Sequence, residues 1–332
     1  MDIHSIQAQN FRARDYRWGN LEAGGRQFAH LLPKLTPMLK FGVTSEYYGL
    51  LPSADHSPNY HHNRTNSIEI LNKFRKLEVG RKVFINSSSL DDGGVETAQT
   101  ALVNKRNPDR ALSAGNRLIS DLRRVDIQFD SEDCYPAVCP SVSQLAEEIL
   151  RLRRLRPGIP AIMCKRDVDG AVTLLYFRPD VGSVLATDFP AEDLGFETDI
   201  AISHLRFSFG WLASPSFYQI FDESAPLHHA NLGPPNPAWN GYDAFRQFTS
   251  VGNSMFIESQ IGNRPALNVT CWESRLKRRA GNSSINEDKL RLGGKWCTSA
   301  ILLGFEFNTL LNSVAIPKPK ILGPVYSRSV TN

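Results

Sequence analysis

The stretch Arg206–Phe221, RFSFGWLASPSFYQIF, decides how the rest of the chain is read. An aromatic-rich run reaches Gly210, a residue that permits either a positive φ or a close backbone approach. Trp211 follows, and Ser214-Pro215 then opens a helix. Serine suits an N-cap, and proline at the first helical position lacks an N–H that has no partner there in any case. Phe217, Ile220 and Phe221 recur at helical spacing. A strand that turns at a glycine into a capped aromatic helix is an ordinary structural unit and by itself says nothing of function.

Composition sets the bounds around it. The chain has 332 residues, enough for one large domain or two to three subdomains, and 41% hydrophobic and 22% charged residues suit a globular protein. A net charge of +4 is too small to make the whole molecule a polyanion binder, so any such attraction must come from local clusters. The first residues, MDIHSIQAQNFRARD, lack the apolar centre of a signal peptide, and no run reaches the length of a membrane span. The five cysteines, an odd number without a secretion signal, predict reduced thiols in an intracellular, non-secreted protein, cytoplasmic or nuclear. Cys134 and Cys139 have no second pair at zinc-finger spacing, and the adjacent histidines His61-His62 and His228-His229 do not share a face of a helix or strand.

Periodicity places the main elements. Ile68, Ile70, Leu71, Phe74 and Leu77 predict a helix over Ser67–Val79, ended by Gly80, before a short strand from Arg81 to Ile85. Ala101–Val103 and Leu118-Ile119 flank a loop carrying Lys105, Arg106 and Arg110, which predicts a β-hairpin with a basic tip. Ser141 and Gln144 form a capping box for a helix to Arg156. Val142, Leu145, Ile149 and Leu152 make its buried stripe. Glu147 and Glu148 sit early, and Arg151, Arg153, Arg154 and Arg156 sit late on a solvated face. A strand from Ile159 to Cys164 runs on towards Asp167. Tyr242–Phe248 reads as helical, Phe248–Glu258 as a hairpin, and residues 268–280 as a helix that buries Val269, Trp272 and Leu276. The resulting division is a poorly patterned segment 1–66, a part 67–158, a part 159–316, and a Pro- and Lys-rich tail 317–332.

Over residues 80–325 the chain resembles reverse transcriptases, and within them the retrotransposon-type branch. Gly210, Trp211, Ala213, Ser214, Pro215 and Gln219 match the Gly-Trp-x-small-Ser-Pro run that supports the template base and the incoming nucleotide. Lys105 and Arg117, with Asp121 four residues after the arginine, match the fingers hairpin that grips the triphosphate. An arginine fork and a lysine point charge suit such a dense anion. Asp167, with Ala171 and Pro179-Asp180, matches the first catalytic aspartate and its surroundings. Val172 stands where the family has an aromatic that blocks a ribose 2′-hydroxyl. Leu302–Phe307 resembles the Leu-Gly hairpin that ends the palm, and Lys289 matches the lysine thought to help protonate pyrophosphate.

The resemblance implies an α+β fold: a palm, meaning an antiparallel sheet backed by helices, with a fingers subdomain and no helical thumb evident after residue 310. It implies an RNA or DNA template–primer and deoxynucleoside triphosphates as partners, no membrane, and Mg²⁺ as cofactor wherever activity survives. It also shows a departure. The family has aromatic-x-Asp-Asp where this chain has Ser250-Val251-Gly252-Asn253. In-line nucleotidyl transfer uses two Mg²⁺ ions held by hard carboxylate oxygens. Gly252 offers no ligand, Asn253 only a neutral amide, and Asp167 remains as the metal-binding carboxylate. Asp169 is an alternative ligand, two residues on and on the same strand face. Glu258 and Asp243 flank the hairpin as candidates for a relocated carboxylate. The expected protein is therefore a reverse-transcriptase-like domain of retroelement origin that no longer catalyses. The alternative is a non-catalytic remnant holding nucleic-acid phosphates through its basic hairpin and Arg-rich helix.

Overall fold

A computed structural model describes residues 66–80, 82–86, 98–103, 116–123, 137–177, 186–189, 191, 197–211, 213–230 and 244–317. Its helices are α1 (Ser67–Val79), α2 (Val142–Leu155), α3 (Ser214–Ala230), α4 (Arg264–Ala280) and α5 (Glu287–Gly293). Its strands are β1 (Val83–Asn86), β2 (Gln99–Val103), β3 (Arg117–Asp121), β4 (Ala161–Asp167), β5 (Ala186–Phe189) and β6 (Ile200–His204). They continue with β7 (Gln247–Ser250), β8 (Asn253–Ser259), β9 (Ser299–Leu302), β10 (Phe305–Asn308) and β11 (Ser313–Ala315). The strands pair as small antiparallel sheets and the helices stand beside them, an α+β arrangement. Among the described residues no helix is long and apolar enough to cross a membrane.

The described residues divide into two compact units, and the division is not the one the sequence suggested. Residues up to Ala137 join Gly170–Ser224, while Val138–Asp169 join the residues from Ala225 onward. The boundary expected between residues 158 and 159 fails because α2 buries its stripe with β4 and β8. The 170–224 stretch leaves its expected partners because β5 and β6 complete a sheet with β1.

In the first unit β6 is the central strand of β1-β6-β5, with Val83 opposite His204 and Phe189 opposite Ile200. Ile70, Leu71 and Phe74 of α1 pack into one core with Val83, Leu102, Leu118, Phe189 and Ile202. Ile68 was expected on that face but is exposed, since two residues of a 3.6-residue period point it away from Ile70. The predicted hairpin is present: β2 pairs with β3, with Leu102 directly opposite Leu118. The Thr100 and Thr187 hydroxyls, 2.7 Å apart, tie it to β5. Lys105 and the basic tip lie outside the described residues, as do residues 1–65, Pro179-Asp180, Asp243 and the tail from 318.

The opening stretch also lies in this unit. Gly210 has φ +116°, and the Ser120 N–H donates to the Phe209 carbonyl at 2.9 Å. Trp211 is buried, stacked on Phe217 at 5.5 Å and edge-on to Phe207 at 4.9 Å. Ser214 is the first residue of α3 rather than its N-cap, and its hydroxyl donates to the Ser208 carbonyl at 3.1 Å. Pro215 therefore occupies the second helical position. The hydroxyl's nearest good acceptor belongs to the incoming chain, a choice that local spacing does not reveal.

In the second unit β8 is the centre of β4-β8-β7. Met255 and Ile257 share a core with Leu145, Ile149 and Leu152 of α2, while Phe256, between them, meets Trp272 of α4 edge-on at 5.7 Å. A strand covered on both faces reads as a continuous apolar run rather than an alternation. The Ser141–Gln144 capping box forms as expected. Glu148, early in this helix, is buried, with Arg151 Nε at 2.8 Å from Oε2 and its Nη2 at 2.7 Å from Oε1. Arg153 donates to the Thr309 carbonyl at 2.7 Å, so Arg151 and Arg153 both bind within the unit. The expected helix at Tyr242–Phe248 is overturned from Gln247, where β7 begins, with Phe248 opposite Met255. The helix expected from residue 268 begins earlier, at Arg264, with Pro265 in its first turn.

Candidate functional site

The second unit brings together four residues that the sequence singled out: Asp167, Gly252, Asn253 and Lys289. Strand β4 runs antiparallel to β8 in a register that sets Asp167 opposite Asn253. The Val168 N–H donates to the Gly252 carbonyl at 2.7 Å. Between β7 and β8, Val251 and Gly252 form a two-residue turn with φ of 40° and 83°. Two successive positive φ values are those of a type I′ hairpin turn, the form whose twist matches its strands.

Segment 284–286 flanks β4 where β8 does not. Val168 bridges Ile285, the Asp169 N–H donates to the Ser284 carbonyl at 2.7 Å, and the Asn286 N–H donates to the Asp167 carbonyl at 3.0 Å. Asn286 then caps α5, its side-chain oxygen accepting the Lys289 N–H at 3.1 Å. Lys289 Nζ thereby lies 2.8 Å from Asp167 Oδ2, in an ion pair whose carboxylate is 11% exposed and whose lysine is 55% exposed. The sequence did not single out Asn286 as a site residue. Its signal was present, since an asparagine three residues before Lys289 has the spacing of an N-cap.

Two further expectations are corrected. Asp169 is not on the strand face of Asp167, because β4 ends at Asp167 and Asp169 lies in the turn that follows. Glu258 is not a relocated ligand. It pairs along β8 with Ile162, five positions from Asn253, and its buried carboxylate accepts from Arg264 Nε and Asn268 Nδ2, each at 2.7 Å. The side chain of Asn253 turns back on its own hairpin, donating from Nδ2 to the Ser250 carbonyl at 3.3 Å. Cys164, also on β4, is no nucleophile: burial pushes its thiol up to about 12, against a smaller opposing pull from Arg166.

Magnesium requires about six oxygen ligands in octahedral array. Among the described residues no group of three or more His, Cys, Asp or Glu side chains could hold a metal ion. Asp167 already has a cation on it. These residues do not fit the two-metal site that the resemblance implies.

No protein-family model and no curated protein matches this chain. The reading of the site therefore stands on its own residues.

The remaining candidates lie in the first unit. Arg117 is exposed on β3, with its guanidinium 5.9 Å from the centroid of the Phe209 ring, which is also exposed. Asp121, the acid expected to accompany it, is held by Arg123, whose Nε donates to Oδ1 at 2.8 Å. Gly210 and Pro215 are exposed, whereas Trp211, Ser214 and Val172 are buried.

Proposed function

We propose that this chain is a reverse-transcriptase-like domain of retroelement origin whose template-directed DNA synthesis has been lost. Its β4-β8-β7 sheet with α2 and α4 corresponds to a polymerase palm on this reading, and the β2–β3 hairpin to the fingers. The single observation that carries the proposal is the register of Asp167 opposite Asn253, with Gly252 beside Val168. Two segments far apart in sequence, chosen as the halves of one catalytic centre, meet at one strand end. The loss follows from charge. One carboxylate remains where two divalent ions need several, and removal of even one good electrostatic contact in an active site lowers a rate by about 10²–10³.

Primer extension tests this reading. The purified chain, given an RNA or DNA template–primer, deoxynucleotides and Mg²⁺ or Mn²⁺, should yield no extended product. Robust synthesis would overturn the claim of inactivity.

A second reading, a nucleic-acid-binding remnant, draws support from the exposed Arg117 beside exposed Phe209, since a cation and an aromatic face suit a phosphate and a base. Filter binding at two salt concentrations checks it. Affinity should fall steeply as salt rises, and no retention at low salt removes this reading.

A further inference from the structure

We propose that Lys289 is the resident cation of the β4–β8 strand end, holding the charge position that a divalent ion would take and keeping such ions out. The inference rests on reading that strand end as an eroded two-metal site. It begins from the burial of Asp167. A carboxylate with its side chain only 11% exposed needs a positive partner, and the partner is the Lys289 ammonium at 2.8 Å.

Lys289 is placed there by construction rather than by a chance excursion of a long side chain. Hydrogen bonds from Asp169 to Ser284 and from Asn286 to Asp167, with the Val168–Ile285 bridge between them, zip segment 284–286 onto the end of β4. Ser284 and Ile285 are buried. The Asn286 side chain starts α5 and holds the Lys289 backbone N–H, so the first turn of α5 carries the ammonium back over Asp167.

Two neighbouring groups are engaged elsewhere. Gly252 contributes its carbonyl to Val168, and Asn253 donates its amide to Ser250. A divalent ion approaching Asp167 would meet a positive charge already seated on the oxygen it needs. The cation and the metal compete for one ligand.

Mn²⁺ uptake by the full chain, followed as loss of the free-ion signal in electron paramagnetic resonance, tests the proposal. Six proteins are compared: the unaltered chain, Lys289→Met and Lys289→Arg, each alone and each combined with the paired restoration Gly252→Asp with Asn253→Asp. The unaltered chain should take up no Mn²⁺ at millimolar concentrations. In the restored background, Lys289→Met should tighten binding by about tenfold or more, which corresponds to about 1.4 kcal/mol. Lys289→Arg keeps the charge and should behave as lysine in both backgrounds. Equal affinities with and without the lysine would overturn the proposal, and so would an absence of binding in the combined variant. Should Lys289→Met fail to fold, Lys289→Gln takes its place in both backgrounds, and the same tightening of Mn²⁺ uptake in the restored background is required. These readouts are separate from primer extension, so failure of the resident-lysine proposal is distinguishable from failure of the reading it rests on.

Discussion

A β-carbon built on Gly210 would lie 1.8 Å from the carbonyl oxygen of Ser120, closer than any packed carbon can approach an oxygen. The turn holding Phe209 and Gly210 therefore lies directly against β3, and the Ser120 N–H seals the contact through the Phe209 carbonyl. The φ of +116° at Gly210 is a second demand for glycine at the same position.

Gly210→Ala should accordingly destabilise the fold by about 3 kcal/mol or more, combining backbone strain with overpacking. The obstacle is backbone, which cannot swing aside as a flexible side chain would. Urea unfolding of the purified variant measures the cost. A loss below about 1 kcal/mol would mean that the turn and β3 are not in contact.

His204 gives the first unit a pH dependence. Burial holds its imidazole down, from an ordinary 6.5 to about 4, against Phe74 on one side and the Ser120 hydroxyl 3.3 Å from Nε2. The folded state keeps it neutral, whereas the unfolded chain takes up a proton below pH 6.5. The associated stability is thus full above pH 6.5 and declines as pH falls towards 4, by an order-of-magnitude maximum of about 3 kcal/mol. Urea midpoints at pH 7 and pH 4.5 should differ more for the unaltered chain than for His204→Gln. Identical pH profiles would refute the assignment.

Val251 is a β-branched residue at φ 40°, a conformation that L-residues of this type strongly disfavour. Val251→Asn supplies the residue that type I′ turns prefer and should stabilise the hairpin by about 1 kcal/mol. Thermal or urea melts would detect it, and a destabilised Val251→Asn would show that the turn has another form.

Arg264 and Glu258 are a buried ion pair, with side chains 3% and 2% exposed, and the guanidinium also lies 4.6 Å from the centroid of the Phe245 ring. Arg264→Met leaves a charge without its partner and should cost about 3–5 kcal/mol. Arg264→Met combined with Glu258→Met should recover much of that loss, because the desolvated charge goes with its partner. A double-mutant cycle gives the coupling directly, and simple additivity would contradict the pairing.

Local chemistry was legible along the chain. The Ser141–Gln144 box and the Leu145-Ile149-Leu152 stripe depend on neighbours a few residues away, and spacing alone reveals them. On the proposed reading, the amino-acid order leaves one carboxylate, Asp167, where the resemblance calls for three. Folding decided what became of it. Lys289 is 122 positions from Asp167, and only the pairing of segment 284–286 with the end of β4 brings the two charges together. Folding likewise buried Glu148 with Arg151, turned Trp211 into core, committed Glu258 to Arg264, and regrouped the segments into two discontinuous units. The reason is common to all of these. A charged or aromatic side chain takes whichever partner the desolvated interior provides, and that partner is fixed by long-range register, which periodicity and composition do not encode.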